Sequence, residues 1–206
     1  MDASRQTPIA VLLSGRGSTV VALAEAIARG AVPARIALVV SNVADAPGLE
    51  RARELGLATA LVAHRDHATR EAHEARVLDA LAAAGAEWIC LAGYMRLLSH
   101  AFVARYRERI LNIHPSLLPA FPGLHPQRQA LAAGVRVSGC TVHLVDEGLD
   151  SGPIVVQRVV PVADDDDEAS LAARILAEEH RAYPEALCRL LSEPWRIEGR
   201  RLRFGS

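Results

Sequence analysis

Lysine is absent from all 206 residues, and the 23 basic side chains are every one arginine. Its absence excludes a Walker A phosphate loop, which needs a lysine to reach the β- and γ-phosphates. Cysteine is nearly as scarce: Cys90, Cys140 and Cys188 are odd in number and far apart. They have neither the paired spacing of zinc ligands nor the density of a disulfide scaffold, so they are expected as reduced thiols in the core. A surplus of one charge is missing too, since 23 basic residues face 24 acidic ones. That balance offers no electrostatic footprint for nucleic acid. No apolar run approaches the roughly 20 residues needed to cross a bilayer, and the stretch from Met1 to Pro8 is short and polar. The expectation is a cytoplasmic protein with neither a membrane nor a nucleic-acid partner.

What the chain does contain is apolar residues, 50% of the total, enough at this length to bury the core of one domain spanning 1–206. Ile9 to Leu13 is an uninterrupted apolar run of strand length, followed by the loop Ser14-Gly15-Arg16-Gly17-Ser18 and the helical composition of Val20 to Ala28. The alternation repeats with Arg35 to Val40 as strand and Gly48 to Leu55 as helix, then Ala58 to Val62 as strand and His67 to Ala84 as helix. Trp88 to Ala92 and Ile110 to Ile113 add two short buried strands. Apolar strands separated by helices predict an α/β fold, an open, mainly parallel, twisted sheet with helices on both faces. Val137 to Val145 and Ile154 to Val162, separated only by a turn-rich segment, predict a hairpin added to that sheet. The acidic run Asp164 to Glu168 precedes a helix over Ala169 to Leu191, with Leu171, Ile175 and Glu179 on one stripe. Pro184 is expected to bend or end that helix early, and Trp195 to Phe204 to form an arginine-rich terminal hairpin.

Three places carry chemistry. The glycine loop joins the first strand to the first helix, where free backbone N–H groups and the helix dipole favour an anion such as phosphate. A tight turn explains a glycine pair equally well. The dinucleotide fingerprint needs a third glycine at position 20, which is valine, so a monophosphate suits the loop better. Asn112 and His114 alternate at the end of a strand, so their side chains leave the same face about 6 to 7 Å apart. Carboxyl ends of strands are where open α/β sheets bind ligands, although capping of a strand end accounts for such a pair by itself. Asp150 lies in the hairpin turn, within possible reach of His114, where a carboxylate favours the imidazolium form; plain turn chemistry is the rival reading. His143 alternates with Thr141 and Val145 and either approaches the same site or packs beside it. His64, His67, His73, His100 and His125 lie in polar surroundings and are expected to face solvent. No trio of His, Cys or carboxylate residues has metal-ligand spacing, and Ser116 has no nucleophile-elbow pattern.

Asn112-Ile113-His114-Pro115-Ser116-Leu117-Leu118-Pro119, Gly139-Cys140-Thr141-Val142-His143 and Leu149-Asp150-Ser151-Gly152 together resemble the formyltransferase family. The resemblance runs from about Ile9 to Leu191 and takes in Ser14 to Ser18, Ser41-Asn42, Leu91-Ala92-Gly93-Tyr94-Met95-Arg96 and Glu179-His180. It implies a Rossmann-like formyltransferase fold whose phosphate-binding half covers about 8–100 and whose folate-binding and catalytic half covers about 101–206. The implied reaction is transfer of the formyl group of 10-formyltetrahydrofolate to the amine of glycinamide ribonucleotide, a step of purine biosynthesis. By the same resemblance Asn112, His114 and Asp150 are catalytic. Gly17, Ser18 and Thr19 hold the substrate phosphate, and Glu179 contacts the ribose. Arg70, Met95, Arg96, Leu97, Leu98 and Asn112 meet the folate, and the loop that contains Asp150 completes that side. Thr19 stands where the family usually has asparagine, which removes one side-chain amide contact. The folate is a co-substrate with no tightly bound cofactor beside it, no metal is implied, and the chain is expected as a monomer or homodimer.

Two rival functions remain on the same residues. Formyltetrahydrofolate hydrolysis uses a similar Asn, His and Asp set with water in place of the amine, but those enzymes carry an extra amino-terminal domain, and only eight residues precede the first strand here. A non-catalytic folate- or nucleotide-binding module would keep the fold and the glycine loop without needing Asn112, His114 and Asp150.

Overall fold

The computed structural model describes residues 6–205, which form two compact units divided between Leu111 and Asn112. In the first, β1 (Thr7–Leu13), β2 (Ala34–Ser41), β3 (Thr59–Leu61) and β4 (Trp88–Leu91) lie in the order β3-β2-β1-β4. All three pairings are parallel, and β1 and β4 are almost wholly buried. Burial on both faces is what turns a strand into a continuous apolar run rather than an alternating one. Between the strands run α1 (Ser18–Ala28), α2 (Pro47–Glu54), α3 (Arg70–Ala83) and α4 (His100–Arg105).

Helix α3 begins later than the composition predicts. A single 3-10 turn occupies His64–Asp66, and Thr69 in extended conformation caps the helix by accepting from Ala72 N–H at 3.1 Å. The expectation that His73 faces solvent is wrong. It shares a stripe with Val77 and Leu81 at spacing four, and all three are buried. Its Nε2–H donates to the Val62 carbonyl at 2.9 Å, and burial lowers its pKa, which keeps the ring neutral. A polar residue on the buried stripe of an amphipathic helix was the signal.

The division between the units falls inside β5 (Ile110–His114). The second unit orders its strands β5-β6-β7-β9-β8. The anticipated hairpin is β6 (Val137–Leu144) antiparallel to β7 (Ile154–Pro161), and the terminal one is β8 (Trp195–Glu198) antiparallel to β9 (Arg201–Phe204). A single parallel bridge, Ile154 to Arg201, attaches β9 to β7. The sheet is thus mixed and mainly parallel, as the alternating pattern predicts. Two helices complete the unit, α5 (Pro126–Ala132), which opens on proline, and α6 (Glu168–Ser192).

Helix α6 starts on a capping box in which the Asp167 carboxylate accepts from Ser170 N–H and the Ser170 hydroxyl from Asp167 N–H. Contrary to expectation, Pro184 does not end it: the helix runs eight residues further to Ser192. A proline inside a helix costs about 3 kcal/mol, but Tyr183, Ala186, Leu187 and Leu190 around it are all buried. Burying each large apolar side chain contributes about 1.5 to 3 kcal/mol, so packing outweighs the lost hydrogen bond. Of the cysteines, Cys90 and Cys140 are buried and in no disulfide, whereas Cys188 on α6 is half-buried. Among the described residues no helix is long and apolar enough to cross a membrane.

Candidate active site

β5 delivers Asn112 and His114 to its carboxyl end, and the segment between β6 and β7 delivers Asp150. The Asp150 carboxylate lies 3.3 Å from His114 Nδ1 and also accepts from Gly123 N–H at 2.9 Å. On the other side of the ring, His114 Nε2 is 2.9 Å from the carbonyl oxygen of Phe121. Both ring nitrogens therefore face oxygen atoms, Asp150 Oδ2 on one side and the Phe121 carbonyl on the other. The histidine and the aspartate side chains are 7% and 12% exposed, so neither contact is diluted by free rotation in water.

Asp150 adopts the left-handed conformation, φ 50°, which an aspartate tolerates better than most residues. The segment around it is tied from within: Asp146 Oδ1 accepts from the Ser151 hydroxyl at 2.7 Å and from Gly148 N–H at 3.0 Å. Gly152 closes the return to β7, and any side chain there would overlap the carbonyl oxygen of Leu144. From the terminal hairpin, Arg200 donates to the Ser151 carbonyl at 3.2 Å.

His143, left open by its alternation in β6, belongs to the same group. The register of β6 against β7 shifts between Val142 and His143, a bulge of the kind that re-aims a side chain. The ring is buried, its Nδ1 2.9 Å from the Leu144 carbonyl and its Nε2 3.1 Å from Asn112 Nδ2 and 3.8 Å from Asp150 Oδ1. Burial lowers its pKa, so the ring is neutral, with its one proton on Nδ1 for Leu144. Nε2 then accepts from the Asn112 amide. That fixes which end of the amide is nitrogen and leaves the second Nδ2–H unclaimed by His143. Asn112, His143, Asp150 and His114 form one connected polar group.

Glu179 is on the buried stripe of α6, 9% exposed. Burial raises its pKa to about 7, and its charge in turn pushes the buried Cys140 thiol up to about 12, after the larger effect of Cys140's own burial. The sign for stability is fixed by the carboxyl titrating higher in the folded chain than its ordinary 4.5. Stability falls as pH rises from about 4.5 to about 7 and is flat beyond, a loss of at most about 3 kcal/mol. Glu179→Gln should therefore unfold at the same temperature as the parent near pH 4.5 and at a higher one near pH 8, in thermal melts of ligand-free protein.

In the first unit, Gly17 is the residue before α1, with φ 75° and no side-chain cap on the helix. The first-turn N–H groups are thus not met by a capping side chain, as an anion site requires. The tight-turn reading also holds a share of the truth: a Cβ on Gly17 would overlap Gly48 Cα, and Gly48 N–H donates to the Gly15 carbonyl at 3.0 Å. Gly17→Ala combines a left-handed alanine with a backbone clash, and should cost about 2 to 4 kcal/mol in denaturant titration. Ser18 is half-buried, while Thr19 is buried in the first turn of α1.

Met95 and Leu97 project their apolar side chains into solvent, 68% and 65% exposed, with Arg96 and Leu98 half-buried between and after them. Two large exposed apolar groups on one short segment are the mark of a ligand surface more than of a folding core. The segment is anchored at its end by Ser99, whose N–H donates to Glu74 Oε1 at 2.9 Å and whose hydroxyl donates to Glu74 Oε2. Arg70 is the first residue of α3, its side chain 43% exposed and 3.8 Å from Glu71. The structure brings Asn112, His114 and Asp150 together in the second unit, with Glu179 elsewhere on that unit's α6; the remaining predicted residues belong to the first. Among the described residues no group of three His, Cys, Asp or Glu side chains is placed to hold a metal ion.

Residues 7–187 match the family model described as formyl transferase. The chain belongs to the formyl transferase family. It is similar to phosphoribosylglycinamide formyltransferase of Escherichia coli strain K12, 44% identical over 176 residues that cover 85% of this chain and 83% of that protein. It is 49% identical over 194 residues to the trifunctional purine biosynthetic protein adenosine-3 of Drosophila melanogaster, covering 93% of this chain but spanning only 14% of that much longer protein. Its backbone superposes on the crystal structure of glycinamide ribonucleotide transformylase 1 from Symbiobacterium toebii with a TM-score of 0.95 and 48% identity, covering 97% of this chain and 94% of that one.

Proposed function

We propose that this formyl transferase moves the formyl group of 10-formyltetrahydrofolate to the amine of glycinamide ribonucleotide, with Asn112, His114 and Asp150 as the catalytic set. The observation that carries the reading is the connected group Asn112–His143–Asp150–His114 in a chain whose relatives bear that activity in their names.

The substrate amine attacks the formyl carbon, and the carbonyl electrons move onto oxygen to give a tetrahedral intermediate. Asn112 offers that oxygen the Nδ2–H not taken by His143, and His114 supplies a second N–H donor when its Nε2–H leaves the Phe121 carbonyl for the formyl oxygen. A preorganised donor such as the Asn112 amide is worth about 3 to 4 kcal/mol because it needs no reorientation as charge develops. Asp150 holds the His114 ring in place and orients the relay that carries a proton from the amine to the leaving folate nitrogen as the carbon–nitrogen bond breaks. No covalent enzyme intermediate forms, and the folate leaves as tetrahydrofolate. His143 is a positioning residue, because its neutral ring sets the orientation of the Asn112 amide.

Gly17, Ser18 and Thr19 take the phosphate through first-turn N–H groups, which leaves Thr19 serviceable despite its unusual side chain. Glu179 takes the ribose. Met95, Leu97 and Leu98 supply an apolar bed for the pteridine, with Arg96 and Arg70 for carboxylates of the folate tail. The enzyme acts in the cytoplasm, as a monomer or homodimer, on a co-substrate rather than with a resident cofactor.

Purified protein mixed with 10-formyltetrahydrofolate and glycinamide ribonucleotide should release tetrahydrofolate and formylate the amine in equal amounts. Omission of the amine should stop folate release. Release that continues without the amine identifies a hydrolase, and binding of both ligands without reaction leaves only a binding module.

A further inference from the structure

Ser14, the first residue of the glycine loop, has no role in the chemistry above, yet its hydroxyl is fully committed. It donates to Asn42 Oδ1 at 2.6 Å and accepts from Met95 N–H at 2.8 Å. Its own N–H donates to the Gly93 carbonyl at 3.1 Å. One residue just past the end of β1 thereby holds the segment that follows β4 at two points, its hydroxyl at Met95 and its backbone N–H at Gly93, on either side of Tyr94.

Asn42, at the end of β2, is buried and is itself oriented. His64 Nδ1 lies 2.8 Å from the Asn42 carbonyl and 3.3 Å from its Nδ2, and one ring nitrogen cannot donate to the first while accepting from the second. The shorter contact decides. Nδ1–H donates to the carbonyl, joined there by His64 backbone N–H at 3.1 Å. Asn42 is thus clamped through its backbone, and its side-chain oxygen is aimed at Ser14. With the hydroxyl proton held by Asn42, the oxygen lone pair is left for Met95, the position where the exposed apolar segment begins.

The same residue opens the loop that carries Gly17. Gly17 is packed against Gly48, and Gly48 N–H donates to the Gly15 carbonyl at 3.0 Å, so the loop is held at both glycines. Whatever fixes the glycine loop also fixes the oxygen on which the Met95 backbone hangs.

We infer that Ser14 is a positioning residue that couples the two substrate segments: occupation of the glycine loop by phosphate orders Met95 to Leu98 for folate, and folate does the reverse. The inference rests on the assignment of those segments to phosphate and to folate. Coupling of this kind is reciprocal, so each ligand changes the affinity for the other by one common factor.

Calorimetric titrations with glycinamide ribonucleotide and with tetrahydrofolate test it, each ligand alone and in the presence of the other at saturation. In the parent protein each should tighten the other about fivefold or more. Ser14→Ala leaves the Met95 N–H without its acceptor, and should weaken tetrahydrofolate about tenfold while bringing the coupling factor close to one. In turnover, KM for the folate should rise about tenfold with kcat changed less than about threefold. Ser14→Thr, which keeps the hydroxyl, should restore coupling, and Asn42→Ala, which frees the hydroxyl to turn, should lower it. Thermal melts accompany each variant. Unchanged folate affinity and coupling in Ser14→Ala would overturn the inference and leave the site assignment standing, as would equal weakening of both ligands in step with a lower melting temperature. Absence of any coupling in a parent protein that binds both ligands would overturn it likewise. Failure of the parent to bind them removes the assignment, and the inference with it.

Discussion

His114→Ala should lower turnover by about a thousandfold while both substrates still bind within a fewfold of the parent. The two ring nitrogens face oxygens on opposite sides, Asp150 Oδ2 at 3.3 Å and the Phe121 carbonyl at 2.9 Å. Removing the ring deletes a donor that matters most when the formyl oxygen carries negative charge, so the loss falls on kcat and not on KM. The fold should tolerate the change. Asp150 keeps its bond from Gly123 N–H, and Phe121 lies on a loop already held by the Ser116 hydroxyl on the Ala120 carbonyl at 2.6 Å and by Gln129 on the Pro122 and Leu124 carbonyls. A stability cost of about 1 to 3 kcal/mol follows from the unpaired acceptors, readable as a lower denaturation midpoint. Steady-state kinetics with direct binding titrations would check both halves. Near-normal turnover would remove His114 from the mechanism.

Asn112→Asp is the second large effect, because it changes chemistry while keeping shape. The amide nitrogen is 3.1 Å from His143 Nε2, which accepts from it. A carboxylate in that place has no N–H for the formyl oxygen, and it sets an acceptor against an acceptor at His143. Loss of one such donor costs about 10² to 10³ in kcat, and the added negative charge opposes the developing oxyanion. The variant should therefore be at least as slow as Asn112→Ala. If the aspartate variant were clearly the faster, a hydrogen bond from Nδ2 would not be what the intermediate needs. His143→Ala gives a milder version of the same loss, since the amide remains but is no longer held in one orientation.

The layered architecture was legible in the sequence because buried parallel strands leave an unmistakable trace, and Ile9 to Leu13 and Trp88 to Ala92 are such runs. Short or locally conflicted elements were not. The six-residue α4 and seven-residue α5 are too brief for a helical period to emerge, although Ser99 before the one and Pro126 at the head of the other are start signals. Pro184 shows the opposite failure, a strong local rule overruled by the buried residues on either side of it. Of the polar group, Asn112 and His114 could be paired by strand alternation alone. His143 could not, because its direction depends on a bulge that exists only once β6 is paired with β7. Ser14 was equally hidden: its partners Asn42 and Met95 lie 28 and 81 residues away, and a serine beside glycines reads as loop.

The proposed catalysis turns on where the formyl oxygen goes when it becomes an anion. A crystal structure of the protein with glycinamide ribonucleotide and a folate analogue bearing a hydrated ketone in place of the formyl group would place a stable tetrahedral centre in the site. One hydroxyl oxygen of that centre is predicted to lie about 2.7 to 3.1 Å from Asn112 Nδ2 and within hydrogen-bond reach of His114. A tetrahedral oxygen bound by neither side chain, with both ligands ordered, would contradict it.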